Sequence, residues 1–200
     1  MPRLSASLGL AALLAAAATP LSPAGADAAP ALLPTHDAAL SYRVTDARDG
    51  RTMLLRAYVK GGAGLVRLDL DGAPGYAILD RPAARVTVVM PAAHGYLEMA
   101  IGTAADRFLA QAQGMRFRRI GQARVAGLPC TDWSVRDPTG SGAGDACITA
   151  DGLVLRAHGG DQGVNGSLIA TSVQEAAQPA ALFAVPEGYA LLGNLPGRRS

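Results

Sequence analysis

The side chains that most often carry out chemistry are few and scattered in this sequence. The three histidines, His36, His94 and His158, are far apart, and no serine has the flanking glycines of a hydrolase nucleophile elbow. A general base needs a partner within hydrogen-bond reach, so catalysis by His94 or His158 requires the fold to supply both a serine and a carboxylate. The sequence therefore favours binding over catalysis, and we expect no enzyme activity.

The carboxylates and basic residues predict no metal, cofactor or nucleic-acid site. Residues 69–80 begin like a calcium loop, but Ala73 stands where a third ligand belongs and Pro74 where the sharp-turn glycine belongs. Lys60, the only lysine, is in the wrong context for a phosphate loop. The net charge is only +2, which gives no general attraction to nucleic acid.

Cys130 and Cys147 are the only cysteines, and we expect them to form a disulfide. The glycine-rich segment 138–145 lies between them, as it would between two antiparallel strands. Closing a loop of this length stabilises a fold by about 3 kcal/mol in the chain-entropy model. Such a bond persists in an oxidising compartment. The alternative, a reactive or metal-binding thiol pair, lacks a Cys-x-x-Cys motif and clustered histidines.

The first 26 residues have the pattern of a secretory signal peptide. Arg3 supplies a positive start, residues 8–18 are apolar, and a small-x-small site ends at Ala26. The apolar run is about half of the ~20 residues that span a bilayer, which disfavours an uncleaved anchor. Cleavage after Ala26, with no cysteine nearby for lipidation, predicts a periplasmic protein that is not a lipoprotein.

The rest of the chain predicts one mainly β domain over residues 39–192, after a flexible lead-in at 27–38 and before a flexible tail at 193–200. Turn pairs such as Asp49-Gly50, Asp71-Gly72, Asp151-Gly152 and Asn165-Gly166 punctuate it. Between them, apolar and polar residues alternate with period two, which is typical of half-buried strands. About eleven strands are expected, near 40–44, 51–60, 65–71, 75–80, 84–90, 95–99, 115–125, 131–135, 145–150, 153–158 and 167–174.

Residues 103–113 are the exception and predict one short amphipathic helix. They begin like a capping box, and Phe108 and Leu109 lie on the apolar stripe before Gly114. A second helical turn is expected after Pro179, from Ala180 to Phe183. The predicted order is six strands, one helix and five strands.

Three stretches resemble the bacterial lipoprotein-carrier superfamily of LolA, LolB and the RseB sensor domain. They are residues 75–99, residues 125–152 around the two cysteines, and the ending Leu-Phe-Ala-Val-Pro-Glu-Gly-Tyr at 182–189. Together the resemblance covers most of residues 39–190. It implies a curved antiparallel sheet, or half-barrel, with the short helix across its concave face.

In those carriers the concave face and helix enclose a pocket for acyl chains, so the resemblance implies a periplasmic protein that binds a lipid, an acyl chain or another apolar ligand without catalysis. The candidate pocket residues are Val86, Val88, Met90, Phe108 and Leu109. The simplest alternative for Phe108 and Leu109 is core packing. The alternative function is an envelope interaction module that binds a protein partner or a membrane surface without an internal ligand.

Arg116, Arg118, Arg119 and Arg124 form the densest basic group. On a regular strand, Arg116, Arg118 and Arg124 share one face. A solvated strand face explains them most simply. The alternative is contact with anionic phospholipid head groups, where each arginine contributes on the order of 1 kcal/mol.

Overall fold

The computed structural model describes residues 28–32, 34–100, 115–136, 142–161 and 164–194. Within these ranges the helical segments are three 3₁₀ turns, at Gly61–Ala63, Pro91–Ala93 and Ala180–Phe183. The strands are β1 (Ala38–Asp46), β2 (Thr52–Lys60), β3 (Leu65–Leu70), β4 (Tyr76–Asp80), β5 (Arg85–Met90), β6 (Gly95–Ala100), β7 (Arg116–Val125), β8 (Leu128–Arg136), β9 (Ala143–Ile148), β10 (Val154–Asp161), β11 (Val164–Gln174) and β12 (Ala190–Asn194).

All twelve strands belong to one open sheet, in the order β12-β6-β5-β4-β3-β2-β1-β11-β10-β9-β8-β7. Strands β1 to β6 and β7 to β11 are two antiparallel meanders, which meet where β1 pairs with β11. The sheet is curved, since Cα atoms of β7 and β11 come within 8 Å although three strands lie between them. The expected fold class, a mainly β curved open sheet, is confirmed.

One strand is additional to those expected, one expected turn lies inside a strand, one helical turn is confirmed, and one predicted helix lies outside the described residues. The twelfth strand, β12, was not expected, and it pairs in parallel with β6. Asn165-Gly166 lies inside β11 rather than at a turn, because Gly166 pairs with Gly159 and the pairing continues to Asp161 and Val164. The turn after Pro179 is confirmed as a 3₁₀ segment. The predicted helix at 103–113 lies outside the described residues, among which no helix is long enough to cross a bilayer.

The predicted disulfide is confirmed. Cys130 on β8 and Cys147 on β9 are bonded, with their Cα atoms 5.4 Å apart, and β8 and β9 are antiparallel neighbours. Both cysteines are buried and belong to the main core. That core also includes the fully buried Leu153 and Leu155, so the disulfide joins two strands where they already pack.

The carboxylate of Asp37 fixes the start of β1. It accepts hydrogen bonds from the backbone N–H of Gln178 at 2.9 Å and that of Gly61 at 3.1 Å, and the Lys60 ammonium lies 3.3 Å away. Backbone donation by Gln178 is the main cause that lowers the pKa of Asp37 below its usual value, against the opposing effect of burial. One side chain thus joins the N-terminal segment, the end of β2 and the C-terminal segment.

Replacing Asp37 with asparagine should make the fold less stable near neutral pH and change its pH dependence. Because the folded pKa is lowered, the carboxylate stabilises the fold above about pH 4 and loses this effect as the pH falls through the folded pKa. Thermal unfolding followed by circular dichroism should show a gap between wild type and Asp37→Asn that narrows below about pH 4. A gap that stays constant to pH 2.5, about the limit of such a titration, would contradict this role.

Candidate functional site

One face of strands β2 to β6 carries only aliphatic side chains in its two central cross-strand rows. The pairing register has no irregularity across these strands, so residues opposite one another share a face. We call these ten residues the aliphatic face: Ala57, Leu68, Ala77, Val88 and Leu97 in one row, and Val59, Val66, Leu79, Val86 and Met99 in the other.

The opposite face of the same strands, which we call the polar face, mixes charged and hydroxyl side chains with apolar ones, and three of its side chains are buried. Its rows include Tyr58, Arg67 and Glu98, and between them lie Ile78, Thr87 and Val89, which are buried. Outside Ala57 and Val59, the aliphatic face is only half-buried. Eight of the ten aliphatic side chains on this face are therefore partly exposed, although apolar surface normally provides the core.

The C-terminal segment covers the polar face. The Arg67 guanidinium carbon lies 3.6 Å from the centroid of the Tyr76 ring, and the group pairs with Asp69 at 2.7 Å. The same guanidinium donates a hydrogen bond to the backbone carbonyl of Leu182 in the 3₁₀ turn. Lys60 donates similarly to the carbonyl of Gln178 at 2.9 Å. These cations hold residues 178–182 against the polar face and away from the aliphatic face.

The structure brings three of the predicted pocket residues together. Val86, Val88 and Met90 lie on one face of β5, and Met90 continues the aliphatic face beyond its first row, the row that contains Val88. All three are half-buried. Phe108 and Leu109 lie outside the described residues, so their place in a pocket stays a prediction.

Sequence reasoning missed how far this face extends. A further row on the same side crosses six strands and contains only apolar side chains: Trp133, Ala146, Ala157, Leu168, Val44 and Met53. Each of these residues belongs to an alternating segment, but the row exists only because β11 pairs with β1. Local alternation could identify its members and could not place them side by side.

The arginines of β7 are divided by a bulge. The register shifts between Arg119 and Gly121, so Arg116 and Arg118 lie on one face and Arg124 lies on the other. The expectation that all three share a face is therefore wrong, because one extra residue reverses the alternation. All three side chains are exposed, and Arg124 donates to the carbonyl of Gly127 at 2.6 Å. Arg136 lies on the same face as Arg116 and Arg118, because it pairs opposite Arg116 in the ladder.

The histidines make surface contacts. The His94 ring packs on Tyr189 at 5.6 Å between centroids, and His36 lies 3.5 Å from Asp151. His158 lies 3.6 Å from Asp145 and pairs opposite Ser167 in the ladder, but its side chain is 68% exposed. Asp145, His158 and Ser167 have the side-chain types of a catalytic triad, but they lack the hydrogen bonds and the enclosed position of one. Among the described residues, no group of three or more potential metal ligands converges.

Two open hollows lie away from the aliphatic face. They measure about 480 and 370 Å³, and both are lined in part by Asp151 and Glu175 at the end of the sheet where β9 turns into β10. Neither includes Val86, Val88 or Met90. Their mixed polar lining and openness to solvent distinguish them from an enclosed apolar site.

Comparison with known proteins gives a sequence family and several structural likenesses. The family described as "Domain of unknown function (DUF4412)" matches residues 76–185, more than half of the chain. A search of curated protein sequences finds no match.

Among solved structures, an uncharacterized conserved protein from Thermus thermophilus is similar with a TM-score of 0.56 at 14% identity, covering 80% of this chain and 91% of that one. MucB gives a TM-score of 0.52 at 16% identity, covering 78% of this chain and 60% of MucB. The complex of Pseudomonas aeruginosa MucA and MucB gives 0.50 at 17% identity, with 76% and 56% covered. The chain thus spans somewhat more than half of the MucB chains. At these identities the likeness is one of fold, and it confirms the resemblance to the RseB-like superfamily at that level.

Proposed function

Because the chain belongs to the DUF4412 family and folds as an open sheet with one apolar face, we propose that it is a non-enzymatic binding protein for an acyl chain or a similarly apolar ligand. The observation that carries this proposal is the aliphatic face, whose rows contain no polar side chain across five strands and are largely half-buried. An acyl chain gains about 0.8 kcal/mol for each methylene that leaves water. A row of aliphatic side chains offers this gain along its whole length.

Ala57, Val59, Val66 and Leu68 on β2 and β3 pack in or against the main core, so the part of the aliphatic face open to a ligand is on β4 to β6. Arg67 and Lys60 hold the C-terminal segment on the polar face, so that segment does not fill the aliphatic one. The predicted helix at 103–113, with Phe108 and Leu109, joins β6 to β7 and is the candidate cover for a bound chain. Rigid strands on one side and a short cover on the other form a concave apolar site.

The proposal places the protein in the periplasm. The signal-like segment ending at Ala26 supports export, and the Cys130–Cys147 disulfide supports an oxidising compartment. The mature protein would begin at Asp27, with a lead-in to residue 38, one domain over 39–192 and a tail over 193–200.

Native mass spectrometry of the mature protein purified from the periplasm, followed by organic extraction, tests the function. We expect a stoichiometric apolar molecule that is lost from the protein on extraction. A protein that arrives empty and also fails to bind fluorescent fatty acids would overturn the proposal.

The arginines on β7 favour contact with an anionic membrane surface as a second property. Arg116 and Arg118 are exposed on an edge strand with Arg136 beside them. MucB, whose structure with MucA is among those similar in fold, illustrates that a protein of this fold can also bind a protein partner, which is the alternative function.

Reversing two of these charges, in Arg116→Glu/Arg118→Glu, should weaken binding to vesicles rich in phosphatidylglycerol by about tenfold or more at low salt. The reason is the loss of on the order of 1 kcal/mol per arginine at an anionic surface, with added repulsion from each glutamate. Vesicle flotation measures the change, and Arg51→Glu, at the distant β1–β2 turn, is the matched control. Equal effects of the two variants would contradict a specific role for β7.

A further inference from the structure

Trp133 is the only tryptophan in the chain and lies on β8, in the apolar row that reaches β2. Its side chain is 4% exposed. The indole Nε1–H is shielded from solvent and has no hydrogen-bond acceptor among the described residues. A buried indole N–H usually finds an acceptor, because an unpaired buried donor destabilises the fold.

Another buried polar side chain on this face, that of Tyr42, has a hydrogen-bond partner, in contrast to Trp133. Tyr42, on β1, donates its hydroxyl hydrogen to the backbone carbonyl of Val154 at 2.8 Å, and burial raises the pKa of that hydroxyl. A buried donor that lacks an acceptor at the edge of a binding face marks a position where a ligand can provide one.

A positive charge accompanies the unpaired donor. The Arg119 guanidinium carbon lies 5.7 Å from the Trp133 ring centroid, and Phe117 packs edge-on at 6.2 Å between centroids. Arg119 pairs directly opposite Trp133 in the ladder, on the side of the apolar row. The end of the row at β7 and β8 therefore combines a neutral donor with a cation, and the rest of the row is apolar.

We infer that Trp133 and Arg119 form the head-group end of a second arm of the proposed site, the apolar row that meets the aliphatic face at β2, and that the ligand class of this arm is long-chain carboxylic acids. The indole N–H donates to the carboxylate, Arg119 supplies the opposite charge, and the acyl chain lies along the row towards Met53. Five strand spacings separate β8 from β2, about 24 Å along the sheet, which is comparable with an extended fatty-acyl chain. Leu32 packs on the Trp133 cluster and is the side chain that the carboxylate displaces.

This inference rests on the proposed function, and the single tryptophan allows the two to be tested separately. Mature protein labelled with ¹⁵N gives one indole N–H resonance. The labelled protein is titrated with dodecanoate and, separately, with dodecyltrimethylammonium. The first has an anionic head group that accepts hydrogen bonds, and the second has a cationic head group that cannot accept one. We expect dodecanoate to shift the indole resonance and to bind more than about tenfold more tightly, because one hydrogen bond to a charged group contributes about tenfold and the charge of Arg119 adds to it.

Trp133→Phe removes the donor and keeps an aromatic ring in the core. It should reduce the preference for dodecanoate by about tenfold, the share of one hydrogen bond to a charged group, and leave binding of the cationic amphiphile unchanged. If dodecanoate binds without moving the indole resonance, or if Trp133→Phe keeps the full preference, the inference is wrong and the proposed function stands. If neither amphiphile binds, both are wrong. Should Trp133→Phe not fold, the wild-type titration alone decides.

Discussion

Replacing Val88 with lysine should weaken the binding of an acyl chain on the aliphatic face by about a hundredfold. Val88 is the fourth of the five residues in the row that runs from Ala57 to Leu97, and it is half-buried. A chain bound over this row would have to remove water from the new ammonium group without pairing it, at a cost of several kcal/mol. About 2.7 kcal/mol corresponds to a hundredfold change in affinity. Displacement of a fluorescent fatty acid measures the loss.

Gln174→Lys is the matched control, because it adds the same charge at an exposed position near the end of β11. Its affinity should equal that of the wild type. Val88→Ala removes contact area without adding charge, so it should weaken binding by a smaller factor. It provides a second test of the site if Val88→Lys does not fold. Wild-type affinity in a folded Val88→Lys protein would remove the aliphatic face from the site.

Replacing both cysteines with alanine should lower the free energy of unfolding by about 3 kcal/mol. Residues 130 and 147 are separated by 17 positions, and the bond restricts the unfolded chain over that loop. For a protein of this size the melting temperature should fall by roughly 6 to 12 °C. Thermal unfolding of Cys130→Ala/Cys147→Ala against the wild type provides the measurement.

Adding a reductant to the wild type under the same conditions is the control for this double variant. Both cysteines are buried, so the reductant should have little effect on the folded protein and should reproduce the loss only after unfolding and refolding. A double variant as stable as the wild type would mean that packing around Leu153 and Leu155 alone holds β8 and β9 together.

The strands were predictable because alternation of apolar and polar residues is a local property. Val66, Leu68 and Leu70 alternate with charged residues in the sequence and share one face of β3 in the structure. The β7–β8 hairpin is a case where local rules are less informative. Its turn has Ala126 in a left-handed conformation beside Gly127, and alanine rarely adopts that conformation.

The features that escaped prediction depend on distant pairings or on single irregularities. β12 is only five residues long and gains its place from parallel pairing with β6, more than ninety positions earlier. The bulge at Ile120 follows no sequence rule, yet it decides which face Arg124 occupies. For the candidate site, Val86, Val88 and Met90 were identifiable from one strand. The role inferred for Trp133 required the register of six strands.

The pairing of β1 with β11 has a consequence for how the protein matures. Ala39 pairs with Gln174, and Asp46 pairs with Gly166, so the seam between the two meanders closes only after more than a hundred intervening residues are available. Each meander is built from neighbours in sequence and can form early, whereas closure over so long a separation is slow. In a chain exported N-terminus first, as proposed above, β1 would therefore have one unpaired edge until nearly all of the chain has crossed the membrane. Such an edge is open to association with other chains during that interval.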